Sequence, residues 1–170
     1  RAGGAWRESR IAVSGWARGA LVDSAGTAVL VYEHGNVFRK GAGADAFVHA
    51  GNVGGAVKAA AFDAASGRVV VVGAAGFVAV SEDAGRTWAR PPSTTTSTLT
   101  CVSVRGARLW AGTRDGAILR SDDAGGHVAV AHAAGTLPSA VLRLVERRDG
   151  GLVACCFEGL YADGPAPEAT

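Results

Sequence analysis

Few residues in this chain have the types and spacing that catalytic or metal chemistry requires. Asp83 and Asp123 each stand in a short turn-like segment, and one carboxylate per turn is a thin ligand set for a cation. His127 and His132 are five residues apart, so on one strand their side chains face opposite ways. No Ser, His and Asp set and no phosphate-binding glycine loop can be assembled. We therefore expect no catalytic residues, no metal and no cofactor.

The most informative segment runs from Ser81 to Trp88 (SEDAGRTW), with a partial copy about 40 residues later in SDDAGGHV, at 121–128. Its aspartate can accept backbone N–H groups across a turn, and its glycine can take a positive φ. Trp88 is expected to pack between repeated units. A segment that recurs at this spacing indicates one supersecondary unit that is used several times.

The rest of the chain follows the same period. A glycine opens a short apolar strand four times, about 40 residues apart, at Gly35, Gly76, Gly116 and Gly159. Two further apolar strands precede each glycine, and an outer strand follows in three copies, while no stretch has a helical period. Four-stranded units of this length are typical of propeller blades. The sequence therefore predicts an all-β chain, a β-propeller or partial propeller of about four blades.

The predicted organisation is a single domain over residues 1–170. The blades are expected at residues 17–52, 53–96, 97–137 and 138–163. The last copy ends in a segment with two prolines, which cannot form a central strand. A strand at 10–14 is the candidate to complete that blade from the N-terminal end.

Charge and hydropathy exclude two classes of partner. The chain has 17 basic and 15 acidic residues scattered along its length, with a net charge of +2, so there is no basic stripe for nucleic acid. No uninterrupted apolar run is long enough to span a bilayer, so we expect no membrane span. Three cysteines are too few for a disulfide framework.

Two segments resemble a known repeat. Ser81, Asp83, Gly85, Thr87 and Trp88 match the full Asp-box pattern (the bacterial neuraminidase repeat), and the partial matches are Ser121, Asp123 and Gly125. The wider rhythm over about residues 20–163 resembles the propeller family of photosystem II assembly and stability factors. The resemblance implies that the box is a folding device on the face opposite the ligand site. It also implies an extracytoplasmic location.

The expected function is that of a non-enzymatic scaffold module that binds or assembles with a protein partner, as the resemblance implies. In a propeller, the turns that join second and third strands share one face. Charged residues occupy these turns in three of the four copies, and loops are where binding residues concentrate. The candidate binding residues are Glu33, His34, Arg114, Asp115 and Glu158. Solvated turns also carry charge without any binding role.

Two alternatives come from other functional classes. Asp-box propellers include sialidases, which clamp a carboxylate with arginines and pair a tyrosine with a glutamate, so one alternative is a carbohydrate-binding or sialidase-like glycosidase domain. Its candidate residues are Tyr32, Tyr161, Glu33, Glu158, Arg39 and Arg114. The other alternative is a structural domain of a larger polypeptide. An incomplete propeller would also expose blade edges through which copies could self-associate.

Overall fold

The computed structural model describes residue 8 and residues 11–163. Its regular structure consists of β-strands and one short 3-10 turn, Ala74–Gly76. The strands are β1 (Ala17–Val22), β2 (Ala28–Tyr32), β3 (Asn36–Lys40), β4 (Val48–Asn52), β5 (Val57–Asp63), β6 (Arg68–Gly73), β7 (Val78–Ser81), β8 (Leu99–Arg105), β9 (Arg108–Thr113), β10 (Ile118–Ser121), β11 (Ala129–His132), β12 (Val141–Glu146), β13 (Leu152–Cys156) and β14 (Gly159–Ala162). No helix in this part of the chain is long and apolar enough to cross a bilayer.

The strands form four antiparallel sheets in which neighbours in sequence are neighbours in space. The sheets are β1-β2-β3-β4, β5-β6-β7, β8-β9-β10-β11 and β12-β13-β14. Short apolar strands joined by tight glycine turns favour this meander, because consecutive antiparallel strands need only a few connecting residues. The predicted all-β chain of repeated sheets is confirmed, and each sheet lies within one of the four ranges expected for a blade.

The outer strand is the least regular part of the repeat. In the second sheet it is reduced to one bridge, in which Ala89 and Val80 exchange two backbone hydrogen bonds of 2.8 and 2.9 Å. In the fourth sheet β14 is an edge strand. Residues 11–14 pair with no sheet, and Arg10 lies outside the described residues. The described part of the expected 10–14 strand therefore does not complete the last sheet.

Each innermost strand carries a β-bulge near its start. The register shifts once between the first and third residues of β1, β5, β8 and β12, which leaves one extra residue in each strand. These extra residues are Arg18, Lys58, Thr100 and Leu142. A bulge increases the local twist of a strand. Because it recurs at the same position, all four innermost strands are twisted in the same way near their start.

The core lies between the sheets. Three apolar clusters join the first sheet to the second, the second to the third, and the third to the fourth. β1 lies against β5, β5 against β8 and β8 against β12, whereas β12 makes no comparable contact with β1. The innermost strands therefore follow an arc whose two ends do not meet.

Candidate functional site

The turns between second and third strands lie together at one end of the sheets, on a surface that we call the loop face (residues 33–35, 74–76, 114–116 and 157–158). Three of these turns are fixed by backbone hydrogen bonds to the segment that leads into their own sheet. Glu33 N–H donates to the Trp16 carbonyl at 3.0 Å, and Arg114 N–H donates to the Thr98 carbonyl at 2.9 Å. The second turn makes the same bond, from Ala74 to Ala56 at 3.0 Å. Main-chain contacts thus hold three of the four turns of the loop face in place.

Glu33 is committed to a local ion pair. Arg18 donates to its carboxylate at 2.7 Å, and this bond lowers the pKa of Glu33 below its ordinary value. His34 Nε2 lies 3.5 Å from the other Glu33 oxygen, and the His34 side chain is 67% exposed. Among these three residues, His34 therefore offers the most surface to a partner.

Of the next two candidate residues, Asp115 is held by a neighbour in its own turn, whereas Arg114 is not. The Thr113 hydroxyl donates to the Asp115 carboxylate, and this bond lowers the pKa of Asp115. The Arg114 side chain is exposed and makes no hydrogen bond or ion pair with another residue of the described chain. Arg114 is therefore an uncommitted cation on the loop face.

The fourth turn is one residue shorter than the other three. Cys156 pairs with Gly159 around a two-residue turn, so Gly159 is a hairpin residue and is not equivalent in register to Gly35, Gly76 and Gly116. The predicted equivalence of the four strand-opening glycines is therefore wrong for Gly159, by one position. Within the turn, the Glu158 carboxylate accepts a hydrogen bond from the Ser139 hydroxyl.

Two exposed aromatic side chains were not among the predicted site residues: Phe157 on the loop face, and Trp16 next to it, whose carbonyl accepts the Glu33 N–H. Phe157 is 76% exposed in the fourth turn, and Trp16 is 72% exposed immediately before β1. Their only signal in the sequence is an aromatic residue beside a predicted loop or strand end. Such a residue more often belongs to the core, and only the structure shows that these two do not.

The aspartate segments lie at the opposite end of the sheets, between third and outer strands. In the first copy, Asp83 accepts the Arg86 and Thr87 N–H groups at 2.9 Å, and also the Ser81 and Thr87 hydroxyls at 2.8 and 2.7 Å. Burial acts to raise the pKa of Asp83, but these bonds outweigh it and lower the pKa to about 2. Both carboxylate oxygens are used within the turn, so the geometry is that of a structural clasp.

The partial copy keeps the same clasp with fewer bonds. Asp123 accepts the Ser121 hydroxyl at 2.7 Å and the His127 N–H at 2.9 Å, and the Ser121 bond is the main cause of its lowered pKa. Gly85 and Gly125 have φ of +80° and +90°, as the motif predicts. The residue before each, Ala84 or Ala124, also has a positive φ, which the sequence did not indicate.

Trp88 is half-buried against the cluster that joins the first and second sheets. Its ring lies 3.6 Å from where a Cβ on Gly85 would stand, so the glycine leaves room for it. This is the inter-sheet packing expected from the sequence.

Arginines at this end hold the sheets together. Arg68 donates to Glu82 at 2.7 Å and to the Gly106 carbonyl of the next sheet. Arg108 of the third sheet pairs with Glu146 of the fourth, and this bond raises the pKa of Arg108. Their charges are satisfied within the chain, in contrast with Arg114 on the loop face.

The residues considered for glycoside hydrolysis are divided between the two ends. Arg39 donates to the Ala84 carbonyl at 2.7 Å at the clasp end, whereas Glu33 lies on the loop face. Tyr161 packs against the apolar cluster between the third and fourth sheets. Within residues 11–163, no group of three or more His, Cys, Asp or Glu side chains is placed to hold a metal ion.

No protein-family model and no curated protein sequence matches this chain. Solved structures do. YCF48 bound to a D1 peptide superposes with a TM-score of 0.63 at 15% identity, over 91% of this chain and 55% of that one. This chain folds as a partial β-propeller.

Two further structures show the same fold. The WD40 β-propeller domain of Doa1 has a TM-score of 0.64 at 11% identity, over 86% of this chain and 51% of that one. The computationally designed protein Ika4 has a TM-score of 0.72 at 15% identity, over 94% and 99% of the two chains. The chain thus spans about half the length of the YCF48 and Doa1 structures and nearly all of Ika4.

Proposed function

We propose that this chain is a non-enzymatic protein-binding module, built on Asp-box-type blades, whose binding surface is the loop face. The observation that carries the proposal is that Trp16, Phe157 and the uncommitted Arg114 are all exposed at the same end of the sheets. Tryptophan, phenylalanine and arginine are the residue types enriched where proteins bind proteins. Among the described residues, the clasp end carries no large exposed aromatic side chain, and two of its arginines, Arg68 and Arg108, are engaged in contacts between sheets.

The charge of the loop face suggests the chemistry of the partner. Arg114 has no internal counter-ion, while Glu33 and Asp115 are each held by a neighbour in the same turn or sheet. A segment with apolar side chains and one or more carboxylates would fit Arg114 and the two aromatic rings. The likeness to YCF48, which has been solved with a bound peptide, supports a peptide or an extended protein segment as the partner.

The test is a selection of peptides from a random library on the immobilised chain, followed by binding measurements in solution. We expect the selected peptides to lose at least about tenfold in affinity, or about 1.4 kcal/mol, in each of the variants Trp16→Ala and Arg114→Ala. Arg120→Ala, at the clasp end, is the matched control and is expected to leave affinity unchanged. Peptides that bind all four proteins equally would place the binding surface elsewhere.

A further inference from the structure

The last sheet exposes positions that the other sheets bury. In every sheet, the residue after the bulge pairs with a second-strand residue, which pairs in turn with a third-strand residue. The third-strand residues in this register are Val37, Val78, Ile118 and Leu160. The first three are at most 5% exposed because the following sheet covers them, whereas Leu160 is 74% exposed. Leu160 is apolar like its equivalents, but no sheet of the described residues packs in front of it.

The neighbours of Leu160 extend this pattern into a face. Val145, Val153 and Cys155 alternate with the residues that pack onto the third sheet, so their side chains point the other way. Val145 is exposed and the other two are half-covered. At the equivalents of Val153 the side chains are fully or nearly buried: Val29, Val70 and Trp110. We call this apolar surface of the fourth sheet the rear free face.

The first sheet has a corresponding uncovered surface on its other side. Val22 is exposed and Leu30 is half-buried, although Val71, the equivalent of Leu30 in the second sheet, is fully buried. Ala17 and Ala20 share this side of the sheet by register. We call this surface the front free face. In the second, third and fourth sheets the same side packs against the preceding sheet.

We propose that the rear free face packs against the front free face of a second copy of this chain. The contact would repeat, between chains, the sheet-on-sheet packing that occurs three times within one chain. Each copy carries one face of each kind, so two copies related by a twofold axis cover both pairs and leave no free face. Each free face carries one charged side chain, Arg143 on the rear free face and Lys40 on the front free face. The two lie at opposite ends of the sheets, so they would not oppose each other across the contact.

Uncovered apolar surface of this kind marks an interface in soluble proteins. The second copy is the occupant that the chain itself specifies, because the required partner face is present on it. The proposal concerns the ends of the arc and is independent of ligand binding on the loop face.

The first test is the mass of the full chain in solution by light scattering. We expect twice the 17.0 kDa of one chain, and the single-chain mass for Leu160→Asp. Val48→Asp is the matched control. Val48 is also well exposed, but it lies on the outer strand β4, where it pairs with Arg39 of β3, and it belongs to neither free face. This variant should therefore keep the wild-type mass. A wild-type chain that has the single-chain mass, as expected if another polypeptide covers these faces, would overturn the proposal. A dimer that Leu160→Asp leaves intact would overturn it as well.

A disulfide trap tests the register of the contact. Cys155 is equivalent to Gly112, and Ala17 is equivalent to Val141. Within one chain, a Cβ on Gly112 would stand 2.5 Å from the Val141 Cβ, so a cysteine at position 17 of one copy should come within disulfide reach of Cys155 of the other. With oxidised glutathione, Ala17→Cys should give a covalent dimer on a non-reducing gel.

The trap has two controls. Adding Cys155→Ser should abolish the covalent dimer. Ala25→Cys, at the far end of the first sheet, should form it at least about tenfold more slowly, because it lies outside disulfide reach of Cys155. Equal rates for positions 17 and 25 would contradict the proposed contact. A wild-type chain that forms this dimer but selects no peptide would instead count against the loop face alone.

Discussion

At the scale of single residues, the same side-chain chemistry serves two purposes at the two ends of the sheets. Asp83 and Asp123 accept hydrogen bonds within their own turns, and Arg108 pairs with Glu146 across two sheets. Arg114 makes no such bond with a described residue. A charged side chain that is hydrogen-bonded within the protein stabilises the fold. An exposed and unpaired one is hydrated, so keeping it available for a partner costs little stability.

Replacing the clasp aspartate should destabilise the chain. Asp83→Ala removes the acceptor for two N–H groups and two hydroxyls, and we expect a loss of about 2–3 kcal/mol in the free energy of unfolding at pH 7, measured with urea. Asp123→Ala, which removes fewer bonds, should cost less. Asp45→Ala, on an exposed turn, is the control and should change stability by less than about 0.5 kcal/mol.

The contribution of Asp83 should also depend on pH. Its folded-state pKa of about 2 lies below the ordinary value of 3.8, so its stabilisation is complete above about pH 4 and is lost as pH falls towards 2. The difference in stability between the wild type and Asp83→Ala should shrink over that range. A difference that stays constant down to pH 2 would mean that the carboxylate charge plays no part in the clasp.

At the scale of the strands and turns, glycine is required where two segments of backbone meet. Gly116 has a φ of +81°, and a Cβ there would stand 2.2 Å from the Leu137 carbonyl oxygen. That contact ties the third turn of the loop face to the linker into the fourth sheet. Gly67 has a similar φ of +74° but faces open space. A substitution at Gly67 therefore measures only the strain of a side chain at positive φ, whereas one at Gly116 adds the steric clash with the linker.

The substitutions Gly116→Ala and Gly67→Ala should therefore differ. Gly67→Ala should cost about 1 kcal/mol, because alanine is strained at positive φ. Gly116→Ala should cost at least about 2 kcal/mol more, since the backbone of the linker must shift or a hydrogen bond must break. Thermal unfolding of the two variants measures the difference. Equal costs would show that the linker moves freely away from the third turn.

At the scale of the whole molecule, the chain is an arc with two covered sheets in the middle and a half-covered sheet at each end. In stacked repeats, stability is approximately a sum of the contacts that each unit makes with its neighbours. The end sheets make one such contact and the central sheets make two. Amide protection should consequently be uneven in a single chain.

Hydrogen exchange of Leu160→Asp, the variant expected to be monomeric, should show this gradient. The amides of β6 and β9 should exchange most slowly, and those of β2 and β13 faster by at least about tenfold. In the wild type, a second copy would cover both free faces and reduce the gradient. Uniform protection across the four sheets of the monomeric variant would contradict this description of the arc.

The repeat pattern in the sequence determined the fold class, the number of sheets and the turns of the aspartate clasp. These features are local, because strand alternation, turn glycines and the bonds around Asp83 all lie within a few residues of one another. The candidate loop residues were placed at one end for the same reason. Trp16 and Phe157 were missed because exposure of an aromatic ring depends on what packs beside it.

Only the tertiary structure decided which surfaces are left uncovered. Whether the first and last sheets meet depends on the angle that accumulates over three sheet-on-sheet contacts, and no short segment encodes that sum. Val37 and Leu160 are both apolar and occupy equivalent positions, yet Val37 is buried and Leu160 is exposed. The difference lies in the presence or absence of a following sheet, which is a property of the assembled arc.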